Sequence, residues 1–237
     1  WFLNEELTQV AKDDYLSTDT ETSPITLYCR TASITGLTFT LASDGNSYLV
    51  EGESETSPSG EVVLPNKYDG KPVSGFFRGS LSSPTFEKNT NITSVVLSNN
   101  IVQIANYTFS DSTKITNVTI PDSVIDIGSY AFDGCSGLTS ITIPDSVRFI
   151  RDYAFRGCSG LTSLEIPNSV KSIGDFAFSR CSGLTRIIVS SGNTKYDSRN
   201  NCNAIIETSS NTLISGCKNT IIPNTVTSIG NYAFQGC

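Results

Sequence analysis

Histidine is absent from the 237-residue chain, and so is methionine. Without histidine the chain lacks the commonest general base, the usual activator of a Ser or Cys nucleophile and the commonest metal ligand. Any catalysis would have to rest on carboxylates, a Lys or a Cys. No apolar run approaches the ~20 residues of a membrane span, and no charged-then-apolar leader opens the sequence. We therefore expect no membrane span within these residues.

Charged residues are also scarce, at 16% of the chain, and the net charge is −7. Such a chain lacks the basic footprint that phosphate binding requires, so we expect no nucleic-acid partner. Ser, Thr, Asn and Gly fill the surface instead, which is typical of extracellular proteins. Since the sequence begins at Trp1, we expect a processed or trimmed form whose export signal or anchor lies outside it.

A unit of 23 residues recurs along the chain. Residues 138–160 read LTSITIPDSVRFIRDYAFRGCSG, and the next copy reads LTSLEIPNSVKSIGDFAFSRCSG. Equivalent positions form apolar and aromatic columns, which are Ile101, Val124, Val147, Val170 and Val226; Ile104, Ile127, Ile150, Ile173 and Ile229; Tyr107, Tyr130, Tyr153, Phe176 and Tyr232; and Phe109, Phe132, Phe155, Phe178 and Phe234. A fixed period of this kind predicts a stacked repeat array rather than one central core.

Each unit predicts one strand, a turn and a second extended piece. Leu138, Ile141 and Ile143 indicate a half-buried strand that Pro144 ends. Val147 and the residues after it indicate the second extended piece, which runs into a helical turn. One unit cannot bury its apolar side alone, but units stacked at ~4.8 Å close a continuous core. We therefore predict a solenoid of about six units, roughly 25–30 Å long.

The fifth unit is interrupted. Val189 and its equivalent Ile222 are 33 residues apart instead of 23, so ten residues are inserted. The segment at about 190–217 contains two predicted strands, at 204–207 and 212–215, around a Ser209-Ser210 turn. Centring the hairpin there places Ile206 opposite Leu213.

The chain upstream of the regular units is organised differently. Residues 60–77 read as a degraded unit with a Tyr-Asp-Gly-Lys insertion after its Pro, and residues 37–52 read as a hairpin around Asp44-Gly45-Asn46. We assign residues 36–91 to an N-terminal β cap and residues 92–237 to the repeats. Residues 1–35 predict a helix followed by a polar linker. Because the sequence ends within a unit, at Cys237, we expect further repeats or another chain to cover that end.

The pattern LxxIxIPxSVxxIGxxAFxGCSG resembles the BspA-like leucine-rich repeats, closely over residues 92–237. The resemblance implies a right-handed leucine-rich-repeat solenoid with parallel strands on its concave face, in a secreted or cell-surface protein of host-associated bacteria. It also implies adhesion to host matrix or plasma proteins or to other microbes, with no cofactor and no catalytic residues to carry over. This chain departs from the pattern at Arg151, where the repeats have Gly, at Ser98 and Ser190 for Pro, and at Ser112 for Cys.

The third unit carries the first candidate binding residues, which are Arg148, Phe149, Arg151 and Arg156. Phe149 stands in a column that is otherwise polar, so we expect its ring to be exposed. With Lys171 and Arg180 in the next unit, these residues predict a basic patch with one aromatic, a composition favoured in interfaces. The alternative is ordinary surface variation.

A second candidate lies on the predicted concave face, where outward positions are mostly Thr and Ser. This run of Thr and Ser ends at Glu165, Arg186 and Ile188, and the change of residue type predicts that a protein or glycan ligand would bind there. The alternative is a solvated strand face. Since no aromatic platform is present on this face, its pattern favours a protein over a glycan.

The cysteines allow two interpretations. Cys135, Cys158, Cys181 and Cys237 share a column, which suits buried core thiols, with disulfides or a metal as the alternative. Cys202 and Cys217 face each other across the predicted hairpin, and a disulfide there would add up to ~3 kcal/mol. Either thiol could instead simply be buried. We expect no metal site, because the chain has no CxxC pair.

The sequence as a whole predicts a non-enzymatic binding scaffold displayed outside the cell. The first hypothesis is adhesion to a host extracellular or microbial surface protein. The alternative is a glycan-binding or structural envelope spacer module.

Overall fold

The computed structural model describes residues 36–52, 58–76 and 86–237. The helix and linker expected within residues 1–35 lie outside the described residues. Within the described ranges, no helix has the length and apolar character needed to cross a membrane.

Short strands dominate the regular structure. Their bounds are β1 Leu37–Leu41, β2 Tyr48–Gly52, β3 Gly60–Val63, β4 Lys67–Tyr68, β5 Lys71–Phe76, β6 Ile92–Val96, β7 Gln103–Ile104, β8 Asn117–Thr119, β9 Asp126–Ile127, β10 Phe149–Ile150, β11 Ser163–Ile166, β12 Ser172–Ile173, β13 Arg186–Val189, β14 Tyr196–Asp197, β15 Ala204–Glu207, β16 Thr212–Gly216 and β17 Ser228–Ile229. A 3₁₀ turn spans Arg199–Asn201.

The first sheet precedes the regular units and has the strand order β1-β2-β5-β4. The predicted hairpin is confirmed: β1 and β2 are antiparallel, and Asn46 N donates to Asp44 Oδ1 at 2.9 Å in the turn between them. This sheet packs onto the repeats through Phe76, whose ring meets the Phe109 ring edge-on at 6.2 Å.

The segment predicted as a degraded unit, of which the structure describes residues 60–76, contributes strands to two sheets. Strand β3 pairs in parallel with β6, so it adds a turn to the repeat stack. The inserted Tyr-Asp-Gly-Lys forms the tight connection between β4 and β5, with Asp69 and Gly70 both at positive φ. A residue at positive φ is typical of such turns.

Two parallel ladders run through the repeats with the predicted offset. We call the first the repeat ladder; it is made of β3-β6-β8 and of β11-β13. The second, which we call the short-strand ladder, has the order β7-β9-β10-β12. Phe149 pairs with Asp126 on one side and with Ser172 on the other, 23 residues away in each direction. The predicted solenoid is therefore confirmed.

The strand predicted in the third unit does not form. Leu138 and Ile143 are buried as expected, but residues 139–143 form no strand, and the repeat ladder is divided between β8 and β11. Thr139 N still donates to Thr116 O at 3.3 Å, the bond that Thr116 N makes to Thr93 O at 2.8 Å, so the third unit keeps the 23-residue register without forming a continuous strand.

Phenylalanine rings form the centre of the core. Phe86, Phe109, Phe132, Phe155 and Phe178 stack with centroids 5.1 to 5.5 Å apart. Phe132 and Phe155 are fully buried. Offset-stacked rings of this size contribute both buried area and ring contacts to stability.

The predicted hairpin of the insert is confirmed, with β15 and β16 antiparallel and Ile206 opposite Leu213. Two further pairings extend it. Strand β14 pairs with β15, and β16 pairs in parallel with β17 of the last unit. The insert thus supplies β16 as the strand on which the last unit stacks.

Candidate binding surface

The tyrosine column forms a second ring stack, at the surface of the solenoid. Tyr107, Tyr130, Tyr153 and Phe176 lie 4.6 to 4.8 Å apart with planes within 8°. Each of them has a positive φ, between 58° and 62°, which is rare for a bulky residue. Because neighbouring rings cover each other's faces, the stack presents mainly ring edges to solvent. The column was predicted, but its left-handed backbone was not.

Arg156 is held at this surface by neighbouring side chains rather than extended into solvent. Its Nε donates to Asp133 Oδ1 at 2.8 Å and its Nη2 to Asp133 Oδ2 at 2.6 Å. The guanidinium also lies 5.4 Å from the Tyr130 ring centroid and 5.0 Å from that of Tyr153. Asp133 is buried, and its hydrogen bonds raise the pKa of Arg156 further above its usual value. Arg156 therefore holds two units together.

Arg151 is likewise paired, although it is more exposed. Nε donates to Asp126 Oδ1 at 3.0 Å and Nη2 to Asp126 Oδ2 at 2.7 Å. The guanidinium lies 4.7 Å from the centroid of the Phe149 ring. The hydrogen bonds to Asp126 raise the pKa of Arg151, so its charge is fixed and neutralised locally.

The space for the Arg151 side chain depends on the unit before it. Gly128 and Gly174 occupy the same column, and a Cβ at either would collide with the preceding unit, with Asn106 in one case and Asp152 in the other. Asn106 and Asp152 accept hydrogen bonds from the backbone of the next unit. Ser129 stands between Asn106 and Asp152 in their column, and its smaller side chain occupies that position in the unit that precedes Arg151.

The expectation that Phe149 would be exposed is wrong. The ring is half-buried, because β10 lies between β9 and β12 in the short-strand ladder and Arg151 covers the ring. The polar column predicted the direction of the side chain, but the charged neighbour that folds over it could not be read from the column.

In the described part of the chain Arg148 is exposed and unpaired, as are Lys171 and Arg180 of the predicted patch. The Arg148 side chain has no hydrogen-bond or ion-pair partner among the described residues, and the same holds for Lys171. Backbone bonds place both in one column: Lys171 N donates to Arg148 O at 2.9 Å, and Arg148 N donates to Ile125 O at 2.8 Å.

The same column continues into two exposed apolar residues that the sequence analysis missed. Ile125 N donates to Val102 O at 2.8 Å. Val102 is 51% exposed and Ile125 is 37% exposed. We call Val102, Ile125, Arg148 and Lys171 the mixed column. Its repeat spacing was visible in the sequence, and the signal that could have found it was the change from apolar to basic residues along one column.

Glu165, Arg186 and Ile188 lie on the other ladder. Arg186 pairs with Ser163, and Ile188 pairs with Glu165, between β11 and β13. Glu165 and Arg186 are exposed and Ile188 is half-buried. Glu165 accepts a hydrogen bond from Ser190 Oγ at 3.0 Å. The two predicted groups thus belong to different sheets.

Cys202 and Cys217 are both free and buried in the structure, which corresponds to the second of the two interpretations of this pair. Their sulfur atoms approach different carbonyls: Cys217 Sγ lies 3.3 Å from Asn203 O, and Cys202 Sγ lies 3.8 Å from Ala204 O. A β-bulge between Ile205 and Ile206 shifts the register on the Cys202 side of the hairpin. The symmetric pairing assumed from the sequence therefore does not continue to the two thiols.

The repeated cysteine column forms a ladder of buried thiols. Cys135 Sγ donates to Phe109 O at 3.0 Å, and Cys158 Sγ to Phe132 O at 3.2 Å. Burial raises the pKa of Cys135 and of Cys181 to about 12. In the described ranges, no three His, Cys, Asp or Glu side chains cluster to hold a metal ion.

Comparison with known families gives a match to the BspA-type leucine-rich-repeat region, in six copies over residues 79–207 and 205–237. The chain belongs to this family. A comparison with curated proteins found no match.

Several solved structures resemble the fold of this chain at low sequence identity. The T. pallidum leucine-rich-repeat protein TpLRR superposes with a TM-score of 0.63 at 24% identity, over 85% of this chain and 86% of that one. The pneumococcal vaccine antigen PcpA gives 0.57 at 17% identity, over 86% of this chain and 61% of that one. A leucine-rich-repeat protein from Bacteroides ovatus gives 0.52 at 22% identity, over 69% and 45%. At these identities the likeness concerns the fold alone.

Proposed function

We propose that this BspA-type chain is a non-catalytic scaffold displayed outside the cell, and that it binds a host extracellular or microbial surface protein through the mixed column. Family membership supports the scaffold, and likeness in fold to a protein described as a vaccine antigen is consistent with display. Adhesion is the role that such a scaffold would serve.

The observation that carries the proposal is the composition of the mixed column. Two exposed apolar residues, Val102 and Ile125, are followed at repeat spacing by the unpaired cations Arg148 and Lys171. Neighbouring Arg151 and Arg156 are neutralised by Asp126 and Asp133, so they lend rigidity rather than free charge. A rigid surface loses little conformational entropy on binding.

This arrangement determines the chemistry of the partner. An apolar pair beside two cations is complementary to a protein surface that carries an apolar anchor next to carboxylates. The chain as a whole is acidic, with a net charge of −7 that includes these two cations, and would repel such a partner elsewhere. The mixed column would therefore set the orientation of binding as well as its strength.

The proposal is tested by capturing host matrix, plasma and microbial surface proteins on the immobilised 237-residue chain. For a protein that binds, the double variant Arg148→Ser/Lys171→Ser should lower affinity about 10-fold or more and reduce its salt dependence, because both free cations are lost. The variant should keep the stability of the parent chain.

Arg186→Ser serves as the matched control, since Arg186 is an exposed cation on the repeat ladder. It should leave binding unchanged. Equal binding by the parent chain and the double variant would contradict the mixed column as the contact. Loss of binding only in Arg186→Ser would move the contact to the repeat ladder.

A further inference from the structure

A cleft of about 160 Å³ opens between the fourth unit and the last unit, beside the insert. We call it the junction cleft. Its walls come from three parts of the chain: the fourth unit supplies Asp175, Phe176 and Ser179, the insert supplies Ile214 and Ser215, and the last unit supplies Asn231 and Tyr232. The mixed column contributes none of its lining residues.

The cleft exists because the insert takes over hydrogen bonds that units otherwise exchange. Earlier in the stack, Phe155 N donates to Ala177 O at 2.8 Å. The equivalent acceptor in the last unit, Ala233 O, instead accepts from Gly216 N of the insert at 2.8 Å. Within the described ranges, Phe178 N has no acceptor in the last unit.

The same change of hydrogen-bond partners leaves a second backbone N–H group of the fourth unit without an acceptor in the last unit as the structure describes it. Tyr153 N donates to Asp175 O at 2.9 Å, but Phe176 N, its equivalent one unit later, makes no such bond to the described part of the last unit. The stack remains joined on either side of the opening, through Arg180 N to Gln235 O at 2.6 Å and through Gly230 N to Leu213 O at 2.8 Å. The opening is thus a local gap in a continuous ladder.

Two side chains in the cleft are also unpartnered. Ser179 is 7% exposed, and its hydroxyl has no hydrogen-bond partner among the described residues. A buried hydroxyl without a partner costs free energy, so its presence favours a group that can complete it. In the preceding unit Asp152 Oδ1 accepts from Asp175 N at 2.9 Å. No backbone N–H group in the described part of the last unit donates in the same way to the carboxylate of Asp175.

The stack of the tyrosine column is also less regular at the junction cleft. The Tyr232 ring is 60% exposed and lies 4.6 Å from the Phe176 ring, but their planes are tilted by 39°. The preceding pair, Tyr153 and Phe176, is tilted by only 5°. An exposed, tilted ring beside polar groups offers an apolar face as well as hydrogen bonds.

We propose that the junction cleft binds a single pyranose sugar residue. A sugar hydroxyl both donates and accepts, so it can donate to the Asp175 carboxylate and accept from the backbone N–H groups of Phe176 and Phe178. The Ser179 hydroxyl, whose oxygen is buried in the wall of the cleft, would pair with the sugar after rotation of its side chain. The C–H face of a pyranose ring packs on Tyr232. The volume is below the roughly 300–1,000 Å³ of drug-sized pockets, which matches a ligand of one ring.

The charges in the cleft oppose the other small ligands. Asp175 would repel an anion that the backbone donors could otherwise attract. One carboxylate without further acidic side chains falls short of the oxygen set that a calcium ion requires. This site does not rest on the proposed contact at the mixed column, and either can be correct without the other.

The test is an NMR titration of the full 237-residue chain with a panel of free hexoses and N-acetylhexosamines, together with a glycan array. We expect saturable shifts of the Phe176 and Phe178 amide signals for at least one sugar. Binding of the free sugar and of glycans ending in it would indicate recognition of a single residue. Binding of glycans alone would place additional contacts outside the cleft, with the terminal residue within it.

Ser179→Ala is the decisive variant, because removal of an unpartnered hydroxyl should not unfold the chain. It should weaken sugar binding about three- to tenfold, as expected for one lost hydrogen bond. Ser169→Ala is the matched control: the Ser169 hydroxyl is also buried and without a partner in the described residues, but it does not line the cleft. It should leave binding unchanged.

Three outcomes would overturn the proposal. They are no amide shift with any sugar, equal binding by the Ser179→Ala and Ser169→Ala variants, and preferential binding of carboxylates or phosphates over neutral sugars.

Discussion

Two junctions of the same stack differ in how their units are joined. At the regular junction, between the third and fourth units, Tyr153 and Phe155 donate to the next unit and the rings lie within 8° of parallel. At the interrupted junction, between the fourth and last units, Gly216 N of the insert donates to Ala233 O of the last unit in place of a donor from the fourth unit, and the aromatic pair tilts by 39°.

The difference shows what the fixed offset of 23 residues achieves. With that offset, the rings stack on their equivalents, and donors such as Tyr153 N and Phe155 N meet an acceptor in the next unit. Ten extra residues keep the last unit attached, but they move its bonds to β16 and leave groups of the fourth unit open. Regular repetition therefore gives stability, and interruption gives a place where a ligand can bind.

The largest expected effect comes from truncating a phenylalanine of the core at each of the two junctions. Phe132→Ala should lower the free energy of unfolding by about 3–5 kcal/mol, because Phe132 is fully buried between two stacked rings. Phe234→Ala, at the interrupted junction, should cost about 1–2 kcal/mol, since Phe234 is only half-buried. Denaturant unfolding followed by circular dichroism measures both, and equal losses would contradict the distinction.

The next effect concerns the arginine contacts of the third unit. Arg156→Ala should destabilise the chain by about 1–2 kcal/mol, because it removes a paired guanidinium over two rings and leaves buried Asp133 without its partner. Arg151→Ala should cost less than about 1 kcal/mol, since that pair is more exposed. Thermal unfolding of the two variants under the same buffer compares them. A larger loss for Arg151→Ala would reverse our assignment of the structural contact.

A smaller effect is expected from the thiol ladder at high pH. In the fold the pKa values of Cys135 and Cys181 are raised to about 12, whereas an unfolded thiol titrates at its ordinary value of 9.0. A raised pKa stabilises the fold below pH 9.0, and this stabilisation is lost as the pH rises toward about 12. Unfolding free energies measured across that range should therefore fall.

The matched variants for this effect replace cysteine by serine, the residue that the chain itself has at one position of the cysteine column. Ser112 occupies the cysteine column and donates to Phe86 O at 2.6 Å, so Cys135→Ser/Cys181→Ser keeps a donor without a titrating thiol. That double variant should show a flatter decline with pH. Cys237→Ser, at the exposed end of the column, should flatten the decline less than the double variant does, because burial raises the pKa of Cys237 as well but its thiol is the more exposed one. An unchanged decline in the double variant would assign it to other groups.

The sequence predicted the repeating features well, because each column is an average over several copies. The 23-residue offset, the buried phenylalanines and the hairpin at 204–216 are all as expected. The missing strand of the third unit was not predicted, since the spacing of Leu138 and Ile143 determines burial and not hydrogen bonding.

The candidate sites were harder to predict, because they depend on individual partners. The column showed that Phe149 departs from its neighbours, but not that Arg151 covers it or that Asp126 pairs with Arg151. The junction cleft could not be anticipated, because it arises from bonds that the hairpin removes from Phe176 and Phe178. A residue's departure from its column can be read from sequence, whereas its partner must be seen in the structure.

Native-state hydrogen exchange at four amides tests the contrast between the junctions most directly. We predict slow exchange for Tyr153 and Phe155, which donate across the regular junction, and exchange at least 10-fold faster for Phe176 and Phe178, their equivalents at the interrupted junction. Equal protection of the two pairs would mean that the last unit closes onto the fourth as the other units do, and would contradict the account.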